Sequence, residues 1–547
     1  MFFVTAAIGM LSTITIKSGF ARFRLFCRAT TVCSGLAASC ILASNGAAQD
    51  SPRFYIRQYR VDGAKLLKSL DIEEAVYPFL GPGRTPDDVE KARQTLEKAY
   101  HDKGFQTVSV IVPQQDPRRG VIRIEVSEGK LGHLRVNGAK WFLPSRIKRE
   151  IPSLAEGTVP NLTQVGREMV AVNRLPDRRI TPELRSGMEP GTVDIDLNVE
   201  DEFPLHGSFE LNNRYSADTT KTRFNGSLSY GNLFQLGHTL GLSFQIAPEN
   251  IDDAKVLSGY YLARISDNLS LMVQGTKQNS DVSTITGAAV GGNGETIGAR
   301  IMVDLPNTQN FYQTFSFGID YKNYSEDIVI GPDTISSPIE YYPLSTSYYA
   351  RWSADKYFTD FNAALTMHLR GMGSSETEFA NKRYGASGAF CTFRADASHT
   401  RDIVGDNQVF VKIQGQISGQ SLINNEQIAG GGLSSVRGYL EATSLGDSGV
   451  FTTLEVRSPT LIGKGDTSPT PQNEWRFHGF AEGGVVDSND TLPGQDSTFW
   501  FGSVGLGTRI KIAEHYNGSL DLAFPLVEQL NAEVGSSLLT FRGWVDF

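Results

Sequence analysis

From His206 onward, apolar and polar side chains alternate with a period of two, and helical periodicity is absent. In the segment 240–246, leucine, phenylalanine or isoleucine occupies every second position, with glycine, serine and glutamine between them. The same alternation recurs in the segments 269–274, 315–321, 409–417 and 539–547. Because successive side chains of a strand point to opposite faces, each segment predicts a strand with one apolar and one polar face.

A soluble β-sandwich and a membrane β-barrel both produce such alternation. Here it continues for roughly 340 residues without a helical domain, which is longer than ordinary sandwiches run. At about twenty residues for each strand and its turn, this length accommodates about sixteen strands. Only a closed sheet satisfies every backbone amide in lipid, so residues 204–547 predict a transmembrane antiparallel β-barrel. The aromatic Phe547, inside the last predicted strand, is the expected C-terminal barrel signal.

The composition fits a barrel of the bacterial envelope and argues against other classes. The net charge is −9 and the pI is about 5.5. Nucleic-acid binders usually carry a basic face, so we expect no nucleic-acid partner. A mean hydropathy of −0.22 excludes a bundle of membrane helices, whereas the polar lumen of a barrel dilutes its hydropathy.

Residues 1–48 are predicted to be a signal peptide. Three arginines precede an apolar stretch of small residues at 29–43, and Gly46-Ala47-Ala48 offers a cleavage site. The stretch is too short and too rich in Ser, Thr and Ala for a membrane-spanning helix. Three of the 4 cysteines lie in this leader. The exported chain therefore keeps Cys391 alone, and we expect no intramolecular disulfide.

Two α/β modules are predicted between the leader and the barrel, over residues 52–129 and 130–203. In the first, Thr85 begins a helix, because Pro86 and two aspartates suit its first turn, and Gly104 ends it. The other predicted elements are the strands 53–61, 105–112 and 121–126, then the strand 131–136, the helices 145–151 and 162–175, and the strand 192–199. Each module is interpreted as strand, helix, helix, strand, strand, an α+β unit that occurs twice.

These modules have two interpretations. They could be generic α+β spacers. Alternatively, the edges of their sheets could bind an extended peptide as an additional strand. The residues alone leave both open.

A glycine-rich loop is predicted between two barrel strands. Its Val436-Arg437-Gly438-Tyr439 places one arginine shortly after the glycines at 430–432. A guanidinium offers five donors in a rigid fork, so it is suited to hold a loop against a carboxylate of the barrel interior. The arrangement favours a gated conduit over an enzyme.

Motifs of common enzyme chemistry are missing from the sequence. It contains no His-Glu-x-x-His, no Cys-x-x-Cys and no phosphate-binding Gly-x-x-x-x-Gly-Lys-Ser/Thr. Gly446-Asp447-Ser448-Gly449 is similar to the nucleophile loop of serine proteases, but Val450 stands where that signature has another glycine. We therefore expect neither catalysis nor a cofactor.

Together, the modules, the barrel, the Val-Arg-Gly-Tyr loop and the terminal phenylalanine resemble the outer-membrane transporters of two-partner secretion. These form the TpsB group of hemolysin and filamentous-haemagglutinin transporters, within the BamA-like superfamily. The modules resemble polypeptide-transport-associated (POTRA) domains. The specific motifs are Val436-Arg437-Gly438-Tyr439, Gly446-Asp447-x-Gly449 and Glu455-x-Arg457-x-Pro459.

The resemblance implies a partner for Arg437. In the family, the loop arginine reaches an acid of a Phe-x-Asp-x-Gly strand on the inner wall, and the matching segment here is Phe480-Ala481-Glu482-Gly483-Gly484. By the period of two, Glu482 shares its face with His478 and Phe480. Glutamate keeps the charge of the family's aspartate but moves the carboxylate outward. The alternative is that Glu482 is simply a solvated acid of the lumen.

The resemblance also implies a function and its partners. Periplasmic POTRA modules would capture an unfolded exoprotein, and the barrel would pass it through the outer membrane to the cell surface. Lipids and lipopolysaccharide would surround the barrel. The alternatives are an assembly factor that inserts other barrels, as BamA does, and a plain diffusion porin.

One expectation concerns closure of the pore. Relatives commonly carry a plug helix before the first POTRA domain, but here residues 49–53 lead directly into the first predicted strand. Closure is therefore expected to depend on the Arg437 loop and on the other loops of the barrel.

Overall fold

A closed β-barrel makes up most of the computed structural model, which describes residues 53–283, 290–308, 310–330, 333–463 and 472–547. The predicted signal peptide at 1–48 lies outside the described residues, as does nearly all of the segment 49–53. Among the described helices, none is long and apolar enough to cross a membrane.

The first module has a three-stranded sheet, a separate strand pair and two helices. Its elements are β1 (Phe54–Ile56), β2 (Gln58–Asp62), α1 (Ser69–Val76), β3 (Gly81–Arg84), α2 (Pro86–Asp102), β4 (Val108–Ile111) and β5 (Val121–Glu128). The sheet order is β2–β5–β4, with β2 parallel to β5, and β1 pairs with β3 alone. Helix α2 begins after Thr85, whose capping box with Asp88 closes its first turn.

The strand predicted at 53–61 is divided in two. The backbone N–H groups of Arg57 and Gln58 both donate to the carbonyl oxygen of Gly120, at 2.7 and 3.2 Å, and the strand is interrupted there between β1 and β2. The strand predicted at 105–112 begins only at Val108, because Phe105 still bonds back to Tyr100 at the end of α2.

The second module has the predicted order of strand, helix, helix, strand, strand. Its elements are β6 (Lys130–Asn137), α3 (Pro144–Glu150), α4 (Leu162–Val172), β7 (Arg178–Ser186) and β8 (Thr192–Asp201). The sheet order is β6–β8–β7, with β6 parallel to β8. Strand β7 was not located from the sequence, and α4 ends three residues before the predicted 175.

The internal repeat is visible in one turn that both modules share. Gly63 and Gly138 follow β2 and β6 with φ of +91° and +84°. A Cβ at either position would lie 2.3 or 2.4 Å from a carbonyl oxygen of the adjacent strand, so only glycine fits. In each module an acid near the end of the last strand, Glu128 or Asp201, accepts backbone N–H groups just after that glycine. The two modules are therefore built on one plan.

The barrel strands follow the second module directly, with short elements in some loops. They are β9 (Leu205–Asn212), β10 (Arg223–Leu233), β11 (His238–Ile246), β12 (Ala254–Ser266), β13 (Leu269–Ser283), β14 (Val290–Asp304), β15 (Phe311–Ile330), β16 (Asp333–Tyr341), β17 (Leu344–Ala354), β18 (Tyr357–His368), α5 (Glu376–Lys382), β19 (Phe390–Asp402), β20 (Gln408–Ser418), β21 (Ile428–Gly430), β22 (Ser444–Gly446), β23 (Ser448–Arg457), β24 (Glu474–Asp487), β25 (Thr498–Ile512), β26 (Tyr516–Pro525) and β27 (Leu538–Asp546).

The barrel has sixteen antiparallel strands, as predicted. Segments β16 and β17 pair with successive parts of β15 and together make one strand. Strand β27 pairs with β9 and closes the sheet. Phe547 lies just after β27, and its backbone exchanges two hydrogen bonds with Gly207, at 2.9 and 3.0 Å. The last residue thus belongs to the closure of the barrel.

Alternation places the apolar residues outside and the polar residues inside. On β11, Leu240 and Leu242 are 42% and 54% exposed on the outer face, whereas Gln245 is buried toward the lumen. On β24, Phe477 is exposed outward, while His478 lies inside. The α+β modules followed by a transmembrane antiparallel barrel confirm the predicted fold class.

The second module contacts one end of the barrel, here called the module end. In the turn after β10, Gln235 accepts from the backbone of Leu143 and donates to the carbonyl of Trp141, at 3.0 and 3.1 Å. In the turn after β12, the carbonyl of Asp267 accepts from Arg174. Since strands alternate in direction, the loops after β18, β20 and β24 lie at the far end.

Candidate functional site in the barrel lumen

The loop between β20 and β23, residues 419–447, folds back inside the barrel and is called the lumen loop. Its two halves pair as β21 and β22. Between them, Gly431 and Gly432 have φ of +96° and +91°, and a Cβ on Gly432 would lie 2.3 Å from the carboxylate of Glu441. The glycines therefore permit a tight reversal of the chain, which places residues 436–439 against the barrel wall.

Arg437 is 4% exposed and makes its principal contacts with Glu482 on β24. Its Nε and Nη2 donate to one carboxylate oxygen of Glu482 at 3.0 and 2.7 Å. The backbone N–H of Arg437 donates to the other oxygen at 2.6 Å. Both ends of the carboxylate are thus occupied by one residue, which fixes the loop backbone as well as the side chain.

Two further carboxylates accept from Arg437. Its Nη1 donates to Asp521 on β26 at 2.9 Å, and its Nη2 donates to Glu455 on β23 at 3.1 Å. The guanidinium also lies 3.4 Å from the ring centroid of Phe480. We call Arg437 with Glu455, Glu482 and Asp521 the Arg437 ion cluster.

Two additional guanidinium groups and one imidazole contact the three acids of the Arg437 ion cluster. Arg457 and Arg509 donate to Glu455 at 2.7 and 3.2 Å. His478 Nε2 lies 2.7 Å from Asp521. Because a buried charge is costly without partners, three carboxylates and three guanidinium groups make a compensated set, and removing one member leaves the others unpaired.

The neighbours of Arg437 in the tetrapeptide are also fixed to the wall. The hydroxyl of Tyr439 lies 2.7 Å from the carbonyl of Val527 and 2.9 Å from that of Gly502. Val436 is fully buried in an apolar cluster with Phe451, Val486 and Phe501. Gly438 has φ of +94° and passes close to Pro525. The loop therefore contacts β23 to β26 through apolar, polar and ionic groups together.

Gly446, Asp447 and Gly449 of the second motif lie at the base of the lumen loop, whereas Glu455 and Arg457 of the third motif lie on β23 beside Arg437. Asp447 is 0% exposed and accepts the backbone N–H groups of Leu422 and Asn489, at 2.9 and 2.8 Å. A Cβ on Gly446 would lie 2.8 Å from the backbone nitrogen of Asp487. A Cβ on Gly449 would lie 2.9 Å from the carbonyl oxygen of Val485, which explains the glycine there.

Close packing explains the glycine that ends the Phe-x-Glu-x-Gly segment on β24. A Cβ on Gly484 would lie 2.2 Å from the ring of Phe451 on β23. Phe451 belongs to the apolar cluster that holds Val436. Gly484 thus makes room for the ring that packs against the loop.

Three residues of the site were not singled out from the sequence. Asp521 and Arg509 contact the Arg437 ion cluster, and Glu441, within the lumen loop, pairs with Arg214 at 2.8 Å. Alternation on β26 could have assigned Asp521 to the lumen face, because Leu520 and Leu522 flank it. Which lumen acid faces the loop depends on strand register, which the sequence does not provide.

The chemistry of this site is electrostatic. In the part of the chain that the structure describes, no group of three or more His, Cys, Asp or Glu side chains is arranged to hold a metal ion. The three acids of the Arg437 ion cluster are instead occupied by guanidinium groups.

A sixteen-strand barrel with two α/β modules at one end and an inward arginine loop defines a class, the bacterial outer-membrane barrels with POTRA modules. The family model for the haemolysin secretion/activation protein ShlB/FhaC/HecB matches residues 191–509, and the model for the ShlB-type POTRA domain matches residues 54–129. The chain belongs to the ShlB/FhaC/HecB family. It is therefore a transporter of two-partner secretion, with its barrel in the outer membrane and its POTRA modules in the periplasm.

Curated relatives agree with this assignment. Outer membrane transporter CdiB of Dickeya dadantii is 23% identical over 74% of this chain and 72% of the relative. CdiB of Escherichia coli O6:K15:H31 is 23% identical over 88% and 80%. The heme/hemopexin transporter protein HuxB of Haemophilus influenzae is 18% identical over 83% and 80%.

Solved structures share the fold. CdiB from Escherichia coli superposes with a TM-score of 0.62 at 21% identity and covers 93% of both chains. CdiB from Acinetobacter baumannii has a TM-score of 0.56 at 15% identity and covers 91% of both. BamA from Haemophilus ducreyi lacking POTRA domains 1–3 has a TM-score of 0.53 at 14% identity, over 90% of this chain and 100% of that one.

Proposed function

We propose that the two modules, at 52–129 and 130–203, bind an unfolded exoprotein by strand addition and deliver it to the barrel at 204–547. The outer strands of their sheets support this proposal. Strand β4 is the last strand of the order β2–β5–β4, and β7 is the last of β6–β8–β7. An edge strand presents backbone donors and acceptors to an extended peptide without requiring a particular sequence. Arg93 and Glu97 already bond to the backbone of Val110 on β4, and Asn173 bonds to that of Ile180 on β7, so an added strand must displace these side chains.

The observation that carries the proposal is the lumen loop, held to one side of the wall by the Arg437 ion cluster. Its contacts lie on β23, β24 and β26. The lumen faces of β9 to β12 carry hydroxyl groups such as Ser227 and Ser243, beside Glu210, which pairs with Arg542. A lumen with one wall occupied by the loop and one wall of polar and paired charged groups suits passage of an extended chain that must not adhere.

The modules, the loop and the cluster act without covalent chemistry in this proposal, so the chain is not an enzyme and needs no cofactor. Folding of the exoprotein outside the cell supplies the direction of transport. Membrane lipids contact the apolar outer face, where Leu257 and Leu506 are 60% and 68% exposed, and lipopolysaccharide surrounds the far end. The exoprotein is a secreted partner of the TpsA type.

Secretion from a strain that lacks this chain tests the proposal. We expect the exoprotein to disappear from the medium, to return with the full chain, and to stay cell-associated when residues 53–129 are deleted. Two readouts address the alternatives. Loss of an unrelated outer-membrane barrel would indicate an assembly factor, and unchanged secretion with reduced solute uptake would indicate a diffusion porin.

A further inference from the structure

The loop between β18 and β19, residues 369–389, folds into the far mouth of the barrel and is called the mouth segment. Its helix α5 carries Phe379, which is fully buried. Phe379 belongs to an apolar cluster that also contains Ala386 of the mouth segment, four residues of the barrel strands and two residues of the lumen loop: Tyr324, Ile339, Tyr341, Phe390, Leu422 and Ile423. Apolar residues are unusual on the lumen face of a barrel, and here the mouth segment covers them.

Hydrogen bonds hold the two ends of the mouth segment together, next to the end of β18. The ring nitrogens of His368 lie within hydrogen-bond distance of the carbonyl oxygens of Gly388 and Met372. Glu376 accepts the backbone N–H of Gly388 at 3.1 Å. From the helix, Lys382 donates to the carbonyl of Ser337 on β16 at 3.1 Å. The segment is therefore a folded element with a defined position.

A buried ion pair joins the mouth segment to the lumen loop. Arg383 donates to both carboxylate oxygens of Asp447, at 2.8 and 3.1 Å. Asp447 also accepts from Leu422 of the lumen loop and from Asn489 after β24. One carboxylate thus connects three loops of the far end, and Arg383 is its only side-chain cation among the described residues.

The lumen loop has a separate attachment beside the apolar cluster. Glu426 is 4% exposed and accepts from the hydroxyl of Tyr341 at 2.7 Å and from Lys322 on β15 at 2.5 Å. These contacts involve β15 and β16, whereas the Arg437 ion cluster involves β23, β24 and β26. The far-end contacts and the Arg437 contacts therefore do not share a residue.

A large cavity adjoins the Arg383–Asp447 ion pair. Its volume is about 1240 Å³, and it lies between the lumen loop and the loops after β24 and β26. Arg383, Ser444, Asp490 and Val527 are among its lining residues. Arg383 is thus the residue of the mouth segment that both lines this cavity and binds Asp447.

We propose that the mouth segment is the outer gate of the pore and that the Arg383–Asp447 ion pair holds it closed. The gate opens by release of this pair while the Arg437 ion cluster stays intact. The inference deepens the proposed function, because it names the element that an exoprotein must displace last, and it rests on the barrel being the conduit.

The test is conductance of the purified full chain in planar bilayers, with no exoprotein present. Arg383→Ala is expected to raise the open fraction about tenfold, because a buried pair that loses one partner is strongly destabilised. Arg383→Lys should give an intermediate value, since an ammonium cannot bind both oxygens as a fork. The matched control is Arg370→Ala, which removes an exposed ion pair with Glu376 on the same segment, and it should leave conductance unchanged.

A folded Arg383→Ala barrel that conducts like the unchanged chain would overturn the proposal. Heat-modifiable mobility on gels reports whether the barrel has formed. If this variant does not fold, Arg383→Gln keeps much of the side-chain length but removes the ion pair with Asp447, and it too must raise the open fraction. Unchanged conductance in that variant would equally contradict the gate. Because no exoprotein is needed, failure here is distinguishable from failure of secretion.

Discussion

Replacement of Arg437 with alanine is expected to reduce secretion of the exoprotein about tenfold or more, although the barrel still forms. The change leaves Glu482 and Asp521 buried near Glu455 with one guanidinium fewer. Removal of one partner from a buried ion pair costs about 3–5 kcal/mol, which is enough to detach the lumen loop from the wall. The measurement is the ratio of exoprotein in the medium to that in the cell.

Two variants calibrate this result. Arg437→Lys keeps the charge but loses the fork that meets Glu482 through two nitrogens, so we expect an intermediate secretion ratio. Arg351→Ala is the matched control, because Arg351 forms a lumen-facing pair with Asp360 away from the loop. It should secrete normally. If Arg437→Ala also secretes normally from a folded barrel, the loop does not need to be held.

Glu482 is expected to be nearly as important as Arg437. Glu482→Gln preserves the shape, but its amide nitrogen would face a donor, either the backbone N–H of Arg437 or its guanidinium. One of the two interactions must be lost together with the charge, so secretion should fall by about tenfold. Glu482→Asp shortens the side chain and keeps the charge, and it should retain more secretion than Glu482→Gln.

A double-mutant cycle distinguishes a direct interaction between Arg437 and Glu482 from a general loss of barrel structure. If Arg437 and Glu482 act through each other, the double variant Arg437→Ala with Glu482→Gln should secrete about as well as either single variant. If the fold-loss of secretion in the double variant equals the product of the two single losses, the two residues act independently. Glu474→Gln, on the same strand near the module end, serves as the control and should have no effect.

The barrel could be predicted because its physical requirement repeats at every strand. Each strand must present apolar side chains to lipid and polar ones to water, so the pattern at 240–246 is enough to assign faces. The same rule assigns Glu482 and His478 to one face of β24. Closure follows from the need to satisfy backbone amides, and it requires no knowledge of register.

The contacts between loops could not be predicted, because they depend on register and on long sequence separations. Arg383 and Asp447 are 64 residues apart, and Arg437 and Asp521 are 84 apart. Nothing in the local sequence of the mouth segment indicates that α5 packs into the lumen. In the modules, β7 was not located, because its six C-terminal residues are largely polar and half-buried or exposed.

Photo-crosslinking of an exoprotein arrested in transit by a tightly folded fusion domain tests whether the exoprotein passes through the lumen of this barrel. The crosslinking residue is placed at Ser243, which faces the lumen on β11, or at its neighbour Leu242, which is 54% exposed on the outer face. We expect an adduct with the exoprotein at position 243 and none at 242. Adducts at 242 but not at 243, in a strain that secretes normally, would contradict transport through the lumen.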